Sequence, residues 1–290
     1  CPEGPLLMRV MLVVAYDGTA YAGSQIQANA LTIEAVLLQE LEKVLHENNI
    51  KLLGASRTDS GVHALGNVWV FDTQTTIPAE KISYALNRSL PPDIVVQASR
   101  EARPDFHPRY TKTSKTYLYR ILNRTFPDPL RSRYTHCVYG DLDTAAMQEA
   151  ADFLVGEHDF TSFASIHSQT DSFVRTIYRI RVFRTGMSVD GSRGRRLEAY
   201  SDNGFVNSAA PFQTDGADAE SGDEVDIEVT GNGFLYNMVR IIAGTLINVG
   251  LGRTAAAEIP AILEKKDREA AGPTAPAKGL TLVKIEYPEL

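Results

Sequence analysis

Cysteine is almost missing from this chain, with only Cys1 and Cys137 among 290 residues. Two thiols so far apart give neither a disulfide framework nor a zinc motif, and nothing points to an oxidising compartment. No apolar run approaches the roughly 20 residues that a membrane-spanning helix needs, and no basic segment leading into an apolar core stands near the start. The expected location is the cytoplasm. Metal-ligand spacing is lacking too: His46, His63, His107, His136, His158 and His167 never fall in a ligand pair at helical or loop spacing. Gly250 to Gly252 has no Lys-Ser/Thr ending, Gly231-Asn232-Gly233 has no third glycine in register, and no Gly-x-Ser-x-Gly elbow occurs. These gaps favour a reaction without a metal, nucleotide or redox cofactor. Positive charge is also short overall, with 29 Lys and Arg against 36 Asp and Glu and a net charge of −7, which argues against a generally basic nucleic-acid binder.

What is present is an ordinary soluble composition, 43% hydrophobic and 22% charged, in a chain long enough for one large or two modest domains. Periodicity predicts a strand over 9–16, a helix over 32–47, strands over 51–55 and 67–73, a helix over 78–90 and a strand over 94–99. The second half predicts a strand over 116–123, a helix over 144–154, strands over 173–184 and 224–230, helices over 233–249 and 255–265, and a strand over 280–287. Thr32 reads as an N-cap, and Pro78 as a first-turn residue. The element order implies an α+β protein of two related lobes, each an antiparallel or mixed sheet with helices on one face. The expected lobes are 8–103 and 104–290. A Gly-, Ser-, Asp- and Ala-rich stretch over 186–222 reads as a surface insertion. Residues 1–7 read as a remnant or unstructured start ahead of Met8.

The most informative stretch is Arg57-Thr58-Asp59-Ser60-Gly61-Val62-His63-Ala64, a polar loop between two apolar runs. Gly61 can take the positive φ that a sharp turn requires and so present Asp59 outward beside Arg57. Asp-Ser-Gly is equally ordinary turn composition, with the carboxylate capping backbone amides. Two further features bear on that choice. Between Arg100 and Arg133, nine Lys and Arg outnumber Glu101, Asp105 and Asp128, with Phe106, Tyr110, Tyr117 and Tyr119 interleaved. This is either a nucleic-acid surface or a solvated face. Arg240 lies among Met238, Val239, Ile241 and Ile242, where a guanidinium either snorkels or meets a buried acid; Asp59 is the acid to pair with it.

Five segments in order then carry a resemblance. Arg57 to Ala64, Phe106-His107-Pro108-Arg109-Tyr110, Lys115-Thr116-Tyr117-Leu118-Tyr119, Phe234 to Arg240 and Lys278-Gly279-Leu280-Thr281-Leu282 together resemble the TruA family of tRNA pseudouridine synthases. The resemblance implies the pseudouridine synthase fold with the active site in a cleft between the lobes. It implies Asp59 as nucleophile, Arg57 as the residue that intrudes where the base leaves the stack, and Tyr117 stacking on the uracil. Arg240 would pair with the catalytic acid, Leu280 would pack at the base pocket, and Phe106, His107, Arg109 and Tyr110 would contact tRNA. It further implies a homodimer acting on positions 38–40 of the anticodon stem-loop, with no cofactor and no metal. Alternatives are the same chemistry on another RNA and a tRNA-binding or chaperone protein without turnover. The chain departs from the family at Ser60, where Ala is usual, and at Ser24, where Trp is usual.

Overall fold

The computed structural model describes residues 7–168, 170–185 and 222–288. Its strands are β1 (Met8–Tyr16), β2 (Leu53–Gly54), β3 (His63–Thr73), β4 (Ile94–Glu101), β5 (Ser114–Asn123), β6 (His136–Val138), β7 (Gly156–Asp159), β8 (Val174–Thr185), β9 (Glu224–Gly231) and β10 (Leu280–Glu286). The α-helices are α1 (Ile33–Leu45), α2 (Ala79–Leu86), α3 (Thr144–Asp152), α4 (Met238–Gly250) and α5 (Ile259–Lys265). The α+β class is as expected. The insertion predicted over 186–222 falls, but for its last residue, outside the described residues, as do positions 1–6 of the expected remnant.

Two compact units divide the described chain. The first runs to Lys115 and regains the residues from Thr281; the second runs from Thr116 to Leu280. The sequence reading drew the border at 103/104 and gave the C-terminus to the second lobe. The C-terminal strand joins the first unit because β10 pairs in parallel with β3, Thr281 opposite His63 and Leu282 opposite Ala64. Parallel pairing of segments more than 200 residues apart leaves no local signal.

In the first unit β1 lies antiparallel between β3 and β4. Val10 through Val14 are all buried, as a strand covered on both faces requires. α1 buries Ile33, Leu37, Leu41 and Leu45, a single stripe at four-residue spacing. The Thr32 hydroxyl accepts from Ala35 N–H at 3.3 Å, the predicted cap. α1 ends two residues early, where His46 turns left-handed with φ 55°. Pro78 is the N-cap of α2 rather than a first-turn residue.

In the second unit β8 is antiparallel to β7 and β9, and β6 is parallel to β5. α4 is buried almost all round; Arg240 and Asn248 are its residues with intermediate exposure. The helix predicted from Gly233 begins at Met238, because Asn237 adopts a left-handed conformation (φ 61°) and Met238 N–H closes a turn onto Leu235 C=O at 3.0 Å.

Candidate active site

The loop with Asp59 is built from its backbone outward. The turn closes through Val62 N–H to Asp59 C=O at 3.1 Å, and Gly61 takes φ 78°, the positive value its position predicted. Asp59 is half-buried and Arg57 exposed. β2 stops at Gly54, so the approach to Asp59 has little sheet ladder to hold it, beyond Ala55 N–H to Val68 C=O at 2.8 Å.

Side chains take over instead. Gly54 C=O accepts from Arg109 Nε at 2.7 Å, and Ala55 C=O from Lys115 Nζ at 2.9 Å. Ser56 C=O accepts from Asn67 Nδ2 at 3.0 Å and from the Ser24 hydroxyl at 3.4 Å. Thr58 N–H donates to Ser24 Oγ at 2.8 Å, while its hydroxyl lies 2.7 Å from Tyr16 OH, which accepts from Asn67 Nδ2 at 3.2 Å. The buried polar groups are thus paired by a network assembled from β1, the segment between β1 and α1, β3, the segment after β4 and the start of β5. Sequence reasoning missed this layer: Tyr16, Ser24, Asn67 and Lys115 carry no pattern that marks them as supports of a loop up to 60 residues away.

The segment read as an RNA contact divides by burial. Phe106 is 1% exposed, its ring packed edge-on against Tyr287 at 5.0 Å, so it anchors the segment rather than forming its surface. His107 and Tyr110 stack at 4.2 Å, Tyr110 is 86% exposed, and Arg109 N–H donates to His107 Nδ1 at 3.1 Å. Burial first, then the Arg109 charge, pulls the His107 pKa below the usual histidine range. Burial also lowers Arg109, with the Arg57 charge adding to it, so the two guanidinium groups feel one another. A neutral, stacked His107 beside two cations suits a surface for bases and phosphates.

The second unit gathers the remaining predicted residues. Tyr117 on β5 is 6% exposed and meets Phe234 edge-to-face at 5.3 Å, a partner ring that its place in an irregular turn had hidden. Arg240, half-buried in the first turn of α4, donates from Nε to Ala275 C=O at 2.7 Å and from Nη1 to Asn237 Oδ1 at 2.8 Å. It does not simply snorkel; its fork is aimed by these bonds. Tyr119 OH donates to Pro276 C=O at 3.0 Å, and its pKa is driven well above the usual tyrosine range by burial, which the Arg240 charge partly offsets. Leu280, 5% exposed, opens β10 directly after Gly279, whose missing side chain leaves room for the Tyr119 ring. The described residues therefore place Arg57, Asp59, Phe106, His107, Arg109 and Tyr110 in the first unit and Tyr117, Arg240 and Leu280 in the second. Among the described residues no group of three or more His, Cys, Asp or Glu is placed to hold a metal ion, and no helix is long and apolar enough to cross a membrane.

A carboxylate on a loop braced by side chains, in one unit with an exposed guanidinium and stacked aromatic groups, suits an enzyme that works on a nucleic acid. Comparison with known proteins narrows that class: the family model described as tRNA pseudouridine synthase matches residues 12–111 and 150–288. The chain belongs to this family. It is 42% identical over 281 residues to tRNA pseudouridine synthase A of Thermoanaerobacter sp. (strain X514), covering 97% of this chain and all of that protein. Its similarity to the protein of the same name from Ruminiclostridium cellulolyticum is 42% over 282 residues, with the same coverage. For that of Halalkalibacterium halodurans it is 39% over 274 residues, covering 94% of this chain and 90% of the relative.

Proposed function

We propose that this isomerase of the tRNA pseudouridine synthase family converts uridine to pseudouridine in the anticodon stem-loop, at positions 38–40, with Asp59 as its nucleophile. The observation that carries the reading is the loop itself: a turn that needs Gly61, its approach fixed by five side chains from outside the loop, around one half-buried carboxylate. A turn whose acid merely capped its own amides would have no use for that bracing.

The chemistry needs a base outside the stem. Extruding it costs a few kcal/mol of stacking and pairing, and the exposed Arg57 guanidinium fills the vacated space. Tyr117 stacks on the extruded uracil, recovering ~1–3 kcal/mol, with Leu280 closing the apolar side of the pocket. The Asp59 carboxylate forms a covalent adduct, the uracil leaves its ribose, rotates and rejoins through carbon 5. Across the reaction the N1–C1′ bond breaks and a C5–C1′ bond forms, while the proton leaving C5 is matched by one gained at N1. Substrate and product are isomers, so no group donor or net oxidant enters. Arg240, aimed by Ala275 and Asn237, pairs with the Asp59 carboxylate and keeps it ionised. His107, Arg109 and Tyr110, on a segment anchored by Phe106, bind the tRNA. By resemblance the working form is a cytoplasmic homodimer in which one tRNA meets both subunits.

The test is Asp59→Ala assayed on a tRNA transcript. Pseudouridine formation should fall to background while tRNA affinity stays within about twofold of the unmodified protein. Turnover near that of the unmodified protein would end the assignment.

A further inference from the structure

Ser24 stands where the resembled family usually carries a Trp, and the structure gives its small hydroxyl a task an indole could not perform. Ser24 is 3% exposed. Its Oγ accepts from Thr58 N–H at 2.8 Å and donates to Ser56 C=O at 3.4 Å, while its own N–H donates to Thr58 C=O at 3.0 Å. One residue thereby engages the backbone on both sides of Arg57, one step before Asp59. A hydroxyl suits this because it is both donor and acceptor.

Ser24 is itself firmly mounted. Its carbonyl accepts from Glu34 N–H at 2.9 Å and that of Gly23 from Ile33 N–H at 3.2 Å, so both are fixed to the first turn of α1. The approach is close: Gly23 has φ 98°, and a Cβ there would sit 2.8 Å from Thr58 C=O. Glycine is required on both counts. A line of hydrogen bonds therefore runs from the α1 N-terminus through Ser24 to Thr58, the residue joined by its peptide bond to Asp59.

We propose that Ser24 is a positioning residue for the isomerisation, holding the Asp59 loop in its attacking position through Thr58 and Ser56 without touching the substrate. The inference rests on Asp59 being the nucleophile. Reacting groups displaced by about 1 Å lose on the order of a hundredfold in rate, and removing the Ser24 hydroxyl frees the loop by shifts of that scale.

Single-turnover assays with saturating enzyme separate chemistry from binding. Ser24→Ala should lower the rate of pseudouridine formation by roughly ten- to a hundredfold, with the Kd for tRNA unchanged within about twofold. Ser24→Thr, which keeps the hydroxyl, should recover most of the lost rate. A Ser24→Ala rate equal to that of the unmodified protein, or a loss that appears only in Kd, overturns the proposal. Asp59→Ala run alongside tells the two failures apart. If Asp59→Ala is silent and Ser24→Ala fully active, only the Ser24 role falls; an active Asp59→Ala removes the nucleophile itself.

Discussion

Lys115 sets its ammonium 2.9 Å from the Ala55 carbonyl, and burial, with the Arg109 charge adding to it, pulls its pKa down to about 8. A lysine whose folded pKa lies below its unfolded one holds its proton less tightly in the native state. Below pH 8 both states are protonated and the cost of burying the charge is borne in full. Between pH 8 and about 10 the unfolded chain binds more protons, so stability should rise with pH. The gain should be up to about 2 kcal/mol relative to Lys115→Met, followed by denaturant unfolding at pH 7, 8, 9 and 10. Parallel pH curves for the two proteins would refute the assignment. At this scale the glycine of the Asp59 turn and the odd arginine of α4 were legible from local rules, a glycine where the chain must turn and a cation in an apolar helix, whereas Asp59 itself, in ordinary turn composition, was singled out by the resemblance. Ser24, Asn67 and Tyr16 break none. Their roles are long-range hydrogen bonds to another segment, Ser24 and Asn67 to its backbone and Tyr16 to the Thr58 hydroxyl, and such bonds leave no trace in composition or spacing.

At the scale of elements, the segment from Phe106 to Tyr110 hangs between two anchors. The Phe106 ring is buried against Tyr287, and Tyr287 OH donates to Pro108 C=O at 2.8 Å. Arg109 spends Nε on Gly54 C=O, so its Nη groups carry the phosphate contact in the proposed tRNA complex. Arg109→Gln should weaken tRNA binding severalfold and reduce the slope of log Kd against log salt by about one. An unchanged slope at unchanged affinity would make this a solvated face. Most long elements appeared where periodicity placed them, since β1, α1 and β9 each bury a regular stripe or run. β3 began four residues early at His63, because Ala64 pairs with Tyr16 and Leu282 across a Leu65-Gly66 step that reads as a break. The short β6 and β7 were missed; at three and four residues they are too brief for any period to register.

For the whole molecule, the predicted residues fall in two units, and the proposed reaction needs both. Arg240 is the sharpest probe of that requirement. Nε and Nη1 are committed within the second unit, and the proposal assigns the guanidinium charge to Asp59. Arg240→Met should cut turnover by about a hundredfold or more, as expected for a lost charge partner of the nucleophile, while tRNA affinity changes little. Full activity would show that the pair plays no part. The division into units was visible in the order of elements, but the return of the C-terminal strand to the first unit was not, since parallel pairing across the length of the chain is set by topology rather than by any local sequence.

The central claim, that Asp59 performs uridine isomerisation in the anticodon stem-loop, is tested most directly by mapping pseudouridines in total RNA from cells that lack this protein. The cells are then supplied with either the unmodified protein or Asp59→Ala. The account predicts that pseudouridine at positions 38–40 is absent without the protein, returns with the unmodified form and stays absent with Asp59→Ala. Pseudouridine persisting at those positions without the protein, or restored by Asp59→Ala, would contradict it.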